Sequence, residues 1–379
     1  MPHKNNNAYL FALITAALLL SLLTVIASSE QPTLTRTISA RSAALYEPET
    51  GRFLYSKNAD TRMPMASTTK IMTALIAAEY TSLDEIVTIP YEAEGVEGSS
   101  AYLKCGDEVT MEELLYALLL RSANDAAVAI AYHTAGSVEG FADMMNERTE
   151  ALGLCNTHFT NPHGLDDKEH YTTAHDLALI AAEAMKNDLI REICSTYKRG
   201  FVRDDLPILY VNHNKLLRGY DGAIGVKTGY TKKSGRCLVG AAERDELRFI
   251  TVTLDAPDDW NDHKALFDLG FATLEKIKFA NEGDYTYSLP VTEGAADEVE
   301  ITNLLGDSVI LDRGVHEVKE YVKLPEFASA PIKRGDILGE VIFTLDGKEA
   351  SRIKLVATAD VEKKRPKSIF EKLIESLGL

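Results

Sequence analysis

The chain has 379 residues, 45% of them hydrophobic and 26% charged, and a formal net charge of −17 at pH 7. That length accommodates two domains with separate cores, and the apolar share is that of a folded globular chain rather than a disordered or fibrous one. The acidic balance argues against nucleic acid or an anionic bilayer as the main partner of the body.

The N-terminus carries His3 and Lys4, then an uncharged apolar run from Ala8 to Ala27 that ends Val25-Ile26-Ala27. That small-residue spacing, followed by polar residues, predicts a secretory signal peptide over 1–29; an uncleaved anchor is the alternative, and either one exports the body. Ala43–Tyr46 and Arg52–Tyr55, joined by a Pro/Gly turn, predict a β-hairpin. Ile71, Met72, Leu75 and Ile76 switch the period to helical after Ser67. Helices are predicted from Thr110 to Leu154, opening on a capping box at Thr110–Glu113, and over Thr173–Met185. Strands follow at Gly225–Tyr230, Arg236–Ala242 and Arg248–Leu254, and then a helix over His263–Lys278. Strands at both ends with helices between imply an α/β (α+β) domain whose sheet gathers sequence-distant strands.

From Tyr285 to Val361 short Val/Ile/Leu-rich segments alternate with turn clusters, which predicts an all-β module resembling a small sandwich. The tail 363–379 begins Lys-Lys-Arg-Pro-Lys and places Ile369, Phe370, Leu373, Ile374 and Leu377 on one helical face. Such a basic amphipathic helix suits contact with a membrane surface; packing on its own domain is the plainer alternative. The domain reading is therefore 1–29 signal peptide, 36–280 catalytic domain, 285–361 all-β domain and 363–379 amphipathic helix.

Cys105, Cys155, Cys194 and Cys237 are too few and scattered for a disulfide scaffold and read as buried thiols. His158, His163, His170 and His175 crowd one region but lack the spacing of a zinc motif, so ordering a loop or filling a core is expected of them. Trp260 reads as a packing residue and Glu92–Gly98 as a solvated loop.

Three short motifs carry the chemistry: Ser67-Thr68-Thr69-Lys70, Ser122-Ala123-Asn124 and Lys227-Thr228-Gly229. A serine hydroxyl is a poor nucleophile until a base takes its proton, and a helix places Lys70 one turn from Ser67 on the same face. Lys70 serves as base only when neutral, which burial and a second cation such as Lys227 favour. Ser122 and Asn124 fall where one helical stretch hands over to the next, so a break there turns both into a cleft. Ser122 is then placed to relay a proton to the leaving amine and Asn124 to hold the substrate amide. Lys227 and Thr228 suit a carboxylate, and Gly229 lets a substrate backbone lie along the strand edge. The backbone N–H groups of Ser67 and Tyr230 are the expected oxyanion hole. Further copies of Ser-x-x-Lys at Ser195 and Ser351 lack a helix N-terminus and read as chance matches.

In the order and setting of these motifs, together with Asn161–Asp166 and Tyr171–Ala174, the chain resembles the low-molecular-mass penicillin-binding proteins, the serine-type D-alanyl-D-alanine carboxypeptidases. The resemblance runs from about Thr37 to Leu254. It implies a serine hydrolase in bacterial cell-wall biogenesis that trims peptidoglycan stem pentapeptides through a Ser67 acyl-enzyme. It also implies acylation by β-lactam antibiotics, no cofactor or metal, no nucleic-acid partner, and residence on the extracytoplasmic face of the membrane or in the wall. Tyr230 replaces the histidine common after Lys-Thr-Gly, and Asp258–Lys264 stands where some relatives place a carboxylate-binding arginine. Rival readings are an endopeptidase of cross-bridges, an inactive wall-binding protein, and a β-lactamase. The last needs a deacylating glutamate in a Glu-x-x-x-Asn stretch between Asn124 and Lys227, which is expected to be absent.

Overall fold

The computed structural model describes residues 32–203 and 205–365; the predicted leader and residues 366–379 of the predicted tail helix lie outside them. Strands β1 (Ser42–Glu47) and β2 (Arg52–Lys57) form the predicted hairpin. Its turn closes on the Glu47 carboxylate, which accepts the backbone N–H groups of Glu49 and Thr50 at 2.7 and 2.8 Å. A 3₁₀ turn, Ala66–Thr69, leads into α1 (Lys70–Tyr80), whose residues Lys70–Ala77 are all buried. A helix apolar on every side belongs at the centre of a domain, and α1 is the central helix here.

The short ladder β3 (Ile86–Thr88) and β4 (Glu108–Thr110) brackets a loop and leads to α2 (Met111–Tyr116). Thr110 caps α2 by accepting Glu113 N–H at 3.2 Å. The reciprocal half of the capping box is missing, because the Glu113 carboxylate pairs with Arg203 and Tyr210. A π turn, Ala117–Arg121, ends at Ser122, followed by α3 (Asn124–Ala135) and α4 (Val138–Ala151). Thr173 caps α5 (Ala174–Ala184) by accepting Asp176 N–H at 3.1 Å, and Asn187 caps α6 (Asp188–Ser195).

A hairpin the sequence reading did not assign, β5 (Lys198–Arg203) and β6 (Leu206–Val211), precedes α7 (Leu216–Gly219). Strands β7 (Ala223–Thr231), β8 (Gly235–Arg244) and β9 (Leu247–Leu254) complete a five-stranded antiparallel sheet in the order β2-β1-β9-β8-β7. Its period-two alternation buries both faces. Ala44, Tyr46, Val239, Ile250 and Val252 join the core built around α1 and α5, while Ala43, Leu45, Leu238 and Phe249 join Leu266 and Phe267 on the other side.

Those last two residues lie on α8 (Asp259–Thr273), which starts earlier than predicted and ends before Lys278. Leu274–Ala280 is strand β10, not helix. Leucine, glutamate and lysine favour helix locally, but the ladder that this segment makes with β13 (Asp307–Asp312) overrides that preference. The remaining strands are β11 (Thr286–Thr292), β12 (Glu298–Thr302), β14 (Val318–Lys323), β15 (Ala328–Ser329), β16 (Ile337–Leu345) and β17 (Lys348–Ala357). They form a six-stranded sheet in the order β14-β16-β17-β12-β11-β15, with its own core at Leu289, Ile301, Val341 and Leu355. Phe279 of β10 stacks on Phe343 of β16, with ring centroids 5.1 Å apart, so the β10–β13 pair supplies the second layer.

Cys194 and Cys237 are buried thiols as read, but Cys105 and Cys155 are exposed, each in a loop outside the helices and strands. Among the described residues no helix is long and apolar enough to cross a membrane.

Candidate active site

The site is assembled where the turn before α1, the turn before α3 and the edge strand β7 converge. Ser67 lies in the 3₁₀ turn, behind Ala66, whose φ is +49°. Gly229 presses against that turn. A β-carbon placed on it would stand 3.0 Å from Ser67 N and 3.1 Å from Thr68 N, so any larger residue would push the turn and the strand edge apart by a few tenths of an ångström. Ser122 terminates the π turn in the left-handed region (φ +64°), and Ala123 N–H reaches back to Ala117 O at 3.1 Å. A π bulge at a helix break is a frequent feature of functional sites, and here it turns Ser122 into the cleft, whereas Asn124, expected to turn there as well, meets Lys70 and the Glu97 carbonyl instead.

Lys70 is fully buried and its amine has three neighbours. It lies 3.0 Å from Ser67 Oγ, 2.6 Å from Asn124 Oδ1 and 2.6 Å from the carbonyl oxygen of His163. The Asn124 amide is oriented by its other end, since Nδ2 donates to Glu97 O at 2.5 Å and leaves Oδ1 to accept. The Asn124 backbone N–H donates to Ser99 O at 2.7 Å, and with the bond to Glu97 O this ties the end of the 92–98 run to the second motif rather than leaving it merely solvated. Burial, then the charge of Lys227, holds the Lys70 amine well below the usual lysine range, against an opposing pull from Asp125.

Lys227 is also buried, donates to Thr228 O at 2.9 Å, and is lowered by burial to about 7. Ser67, Ser122, Thr228, Gly229 and Tyr230 line one open cleft of 520 Å³. All eight residues singled out from the sequence are thus gathered at this place. Five line the cleft, Lys70 and Asn124 meet beneath Ser67, and Lys227 lies buried behind Thr228.

The sequence reading missed Arg236. It sits on β8 directly opposite Tyr230, lines the same cleft and donates to Asp259 Oδ1 at 2.7 Å. Its guanidinium lies 5.8 Å from the Trp260 ring centroid, with Lys215 Nζ at 6.0 Å from the same ring. Trp260 therefore packs against the sheet core, as read, and also walls the cleft. The ladder register beside Lys-Thr-Gly is the signal that points to Arg236, because residues opposite each other in an antiparallel pair share a face.

The other Ser-x-x-Lys copies are unrelated to the cleft. Ser195 Oγ donates to Glu192 O at 2.9 Å and Ser351 Oγ donates to the Asp307 carboxylate. A Glu-x-x-x-Asn stretch does occur between the second and third motifs, Glu183–Asn187, which corrects the expectation that none exists. It is not a deacylating pair. Glu183 accepts from Arg148 and Lys186 at 3.0 and 2.8 Å, Asn187 caps α6, and neither residue lines the cleft.

A family model described as D-alanyl-D-alanine carboxypeptidase matches residues 26–258. The chain belongs to the D-alanyl-D-alanine carboxypeptidase family. A second model, the C-terminal domain of penicillin-binding protein 5, matches residues 274–363. The D-alanyl-D-alanine carboxypeptidase DacF of Bacillus subtilis is 34% identical over 336 residues, 86% of each chain. A D-alanyl-D-alanine endopeptidase of Pseudomonas aeruginosa is 30% identical over 256 residues, 65% of this chain and 82% of that one. The crystal structure of penicillin-binding protein 5 from Haemophilus influenzae superposes with a TM-score of 0.62 at 29% identity, covering 87% of this chain and all of the other.

Proposed function

We propose that this family member removes the terminal D-alanine of peptidoglycan stem pentapeptides through an acyl-enzyme on Ser67. The surroundings of Lys70 carry this reading. A neutral amine has two N–H groups and one lone pair. Asn124 Oδ1 and His163 O, both at 2.6 Å and both pure acceptors, take the two hydrogens and leave the lone pair for Ser67 Oγ at 3.0 Å. Lys70 then takes the serine proton as Oγ attacks the carbonyl of the penultimate D-alanine. The N–H groups of Ser67 and Tyr230 receive the oxyanion, and Ser122 passes a proton to the departing D-alanine amine. Water hydrolyses the Ser67 ester, and β-lactams stop the cycle at that ester.

Thr228, in the cleft, receives the terminal carboxylate, and the Lys227 amine buried behind it adds its charge at that wall. Because burial leaves Lys227 only partly charged near neutrality, Arg236 supplies a second, permanent cation at the same wall of the cleft. The predicted leader and basic tail support action outside the cytoplasmic membrane, with the tail touching its surface. Incubation with a purified muropeptide pentapeptide tests the reading. Release of one D-alanine per stem without cleavage of cross-linked dimers supports it, and cleavage of dimers alone points to the endopeptidase.

A further inference from the structure

The stretch Asn161–Asp166 and the segment Tyr171–Ala174 place no side chain in the cleft, yet they enclose the nucleophile turn. Gly164 abuts Ala66 so closely that a β-carbon on it would stand 1.9 Å from Ala66 O. His170, buried to 3% exposure, accepts Thr160 N–H on Nδ1 at 3.1 Å, which leaves its proton on Nε2. Nε2 donates to Thr69 Oγ1 at 2.8 Å, and the Thr69 hydroxyl donates onward to Ala66 O at 2.8 Å. A directed chain thus runs from the loop to the carbonyl just before Ser67, on a residue held at positive φ. Thr73 Oγ1 donates to Pro162 O at 2.6 Å, beside the Lys70–His163 contact. Behind the turn, Met63 and Thr172 exchange backbone hydrogen bonds of 2.8 and 3.0 Å. At the loop's far end, Asp166 Oδ1 accepts from Thr231 Oγ1 at 3.0 Å, next to Tyr230 on the third-motif strand.

We propose that residues 160–166 are a clamp joining the Ser67 turn to β7, and that His170, through Thr69, is a positioning residue for the nucleophile. This rests on the reading of Ser67 as the acylated serine. Without the His170–Thr69–Ala66 chain, Ala66 is free to relax toward negative φ, which rotates the Ser67 amide and hydroxyl away from Lys70 and Tyr230. The groups that hold substrate, Thr228, Lys227 and Arg236, are untouched. The loss therefore falls on the covalent step and spares binding.

The test uses stopped-flow acylation of the full chain by labelled penicillin, with the non-covalent dissociation constant and the acylation rate constant fitted separately. The variants are His170→Leu, Thr69→Val, their double and His170→Gln, each checked for folding by thermal melt. In both single variants the acylation rate constant is expected to fall, by as much as ~100-fold, the scale of a misplacement of about 1 Å, with the dissociation constant within about threefold of wild type. The double is expected to be no slower than the slower single, since both cut one chain. Glutamine, which keeps an N–H for Thr69, is expected to recover most of the rate. Unchanged acylation in folded Thr69→Val, losses that multiply in the double, or a loss borne entirely by binding would each overturn the clamp. Should His170→Leu not fold, Thr69→Val and His170→Gln decide by the same criteria. Ser67→Ala runs in parallel: labelling that persists there refutes the serine assignment whatever the clamp variants do.

Discussion

Replacing Lys227 by methionine removes one buried cation while keeping most of the side-chain volume. Two consequences for activity follow. The terminal carboxylate loses a charge-assisted partner, which costs about 1.5–3 kcal/mol, or roughly 10–150-fold in kcat/KM for a peptide ending in a free acid. A peptide ending in an amide loses little, because it never had that ion pair. Lys70 is also released from the repulsion that Lys227 exerts, so its depressed ionisation moves upward and the acid limb of the rate profile shifts to higher pH. Wild type is expected to show a second limb: free-acid cleavage falls as Lys227 discharges above about 7, and cleavage of an uncharged ester does not.

The same substitution changes stability in a defined window. Lys227 is depressed to about 7 in the fold, whereas the unfolded side chain stays protonated up to 10.5. Between those values the unfolded chain binds more protons, so wild-type stability rises with pH; below about 7 the penalty is fully present. Methionine lacks the penalty, so its advantage is greatest below pH 7 and fades toward 10.5. The assay is kcat/KM for free-acid and amidated D-Ala-D-Ala peptides at each variant's pH plateau, with Tm at pH 6 and 10. Equal cleavage of the two peptides by wild type, or equal losses on both in the variant, would refute the carboxylate role.

Lys70→Ala should lower acylation by labelled penicillin by several orders of magnitude while leaving its non-covalent binding nearly intact, as for other members of a catalytic unit; near-normal acylation at neutral pH contradicts this. Arg236→Gln should raise KM for free-acid peptides by roughly tenfold and leave amidated peptides unaffected; an equal effect on both assigns Arg236 to structure alone. Truncation after Val361 should abolish weak, salt-sensitive binding to anionic vesicles without altering turnover of a soluble peptide. Equal partitioning of full-length and shortened protein makes the tail a packing element.

Much of the site was legible because its chemistry is local. Ser-x-x-Lys entering a helix fixes two partners within one turn, and the interrupted apolar pattern at Arg121–Ala123 announced the break that turns Ser122 into the cleft. The hairpin β1–β2, the helix after Thr173 and strands β7 to β9 were readable from period and turn chemistry. What stayed hidden depends on partners distant in sequence. Leu274–Ala280 becomes a strand only because Asp307–Asp312 pairs with it, and the β5–β6 hairpin exposes Val202, Leu206 and Leu209, so no hydrophobic alternation marks it. Arg236 required the β7–β8 register, and the work of Asn161–Asp166 shows only once Gly164 is seen against Ala66.

Covalent capture at Ser67 tests the proposed chemistry most directly. The full chain is incubated with labelled penicillin, digested, and the adduct located by mass spectrometry. One stable adduct on the peptide containing Ser67, absent from Ser67→Ala, is the expected result, because the ester forms on that oxygen and the Glu183–Asn187 stretch lies outside the cleft. An adduct elsewhere, or labelling that survives in Ser67→Ala, would contradict it.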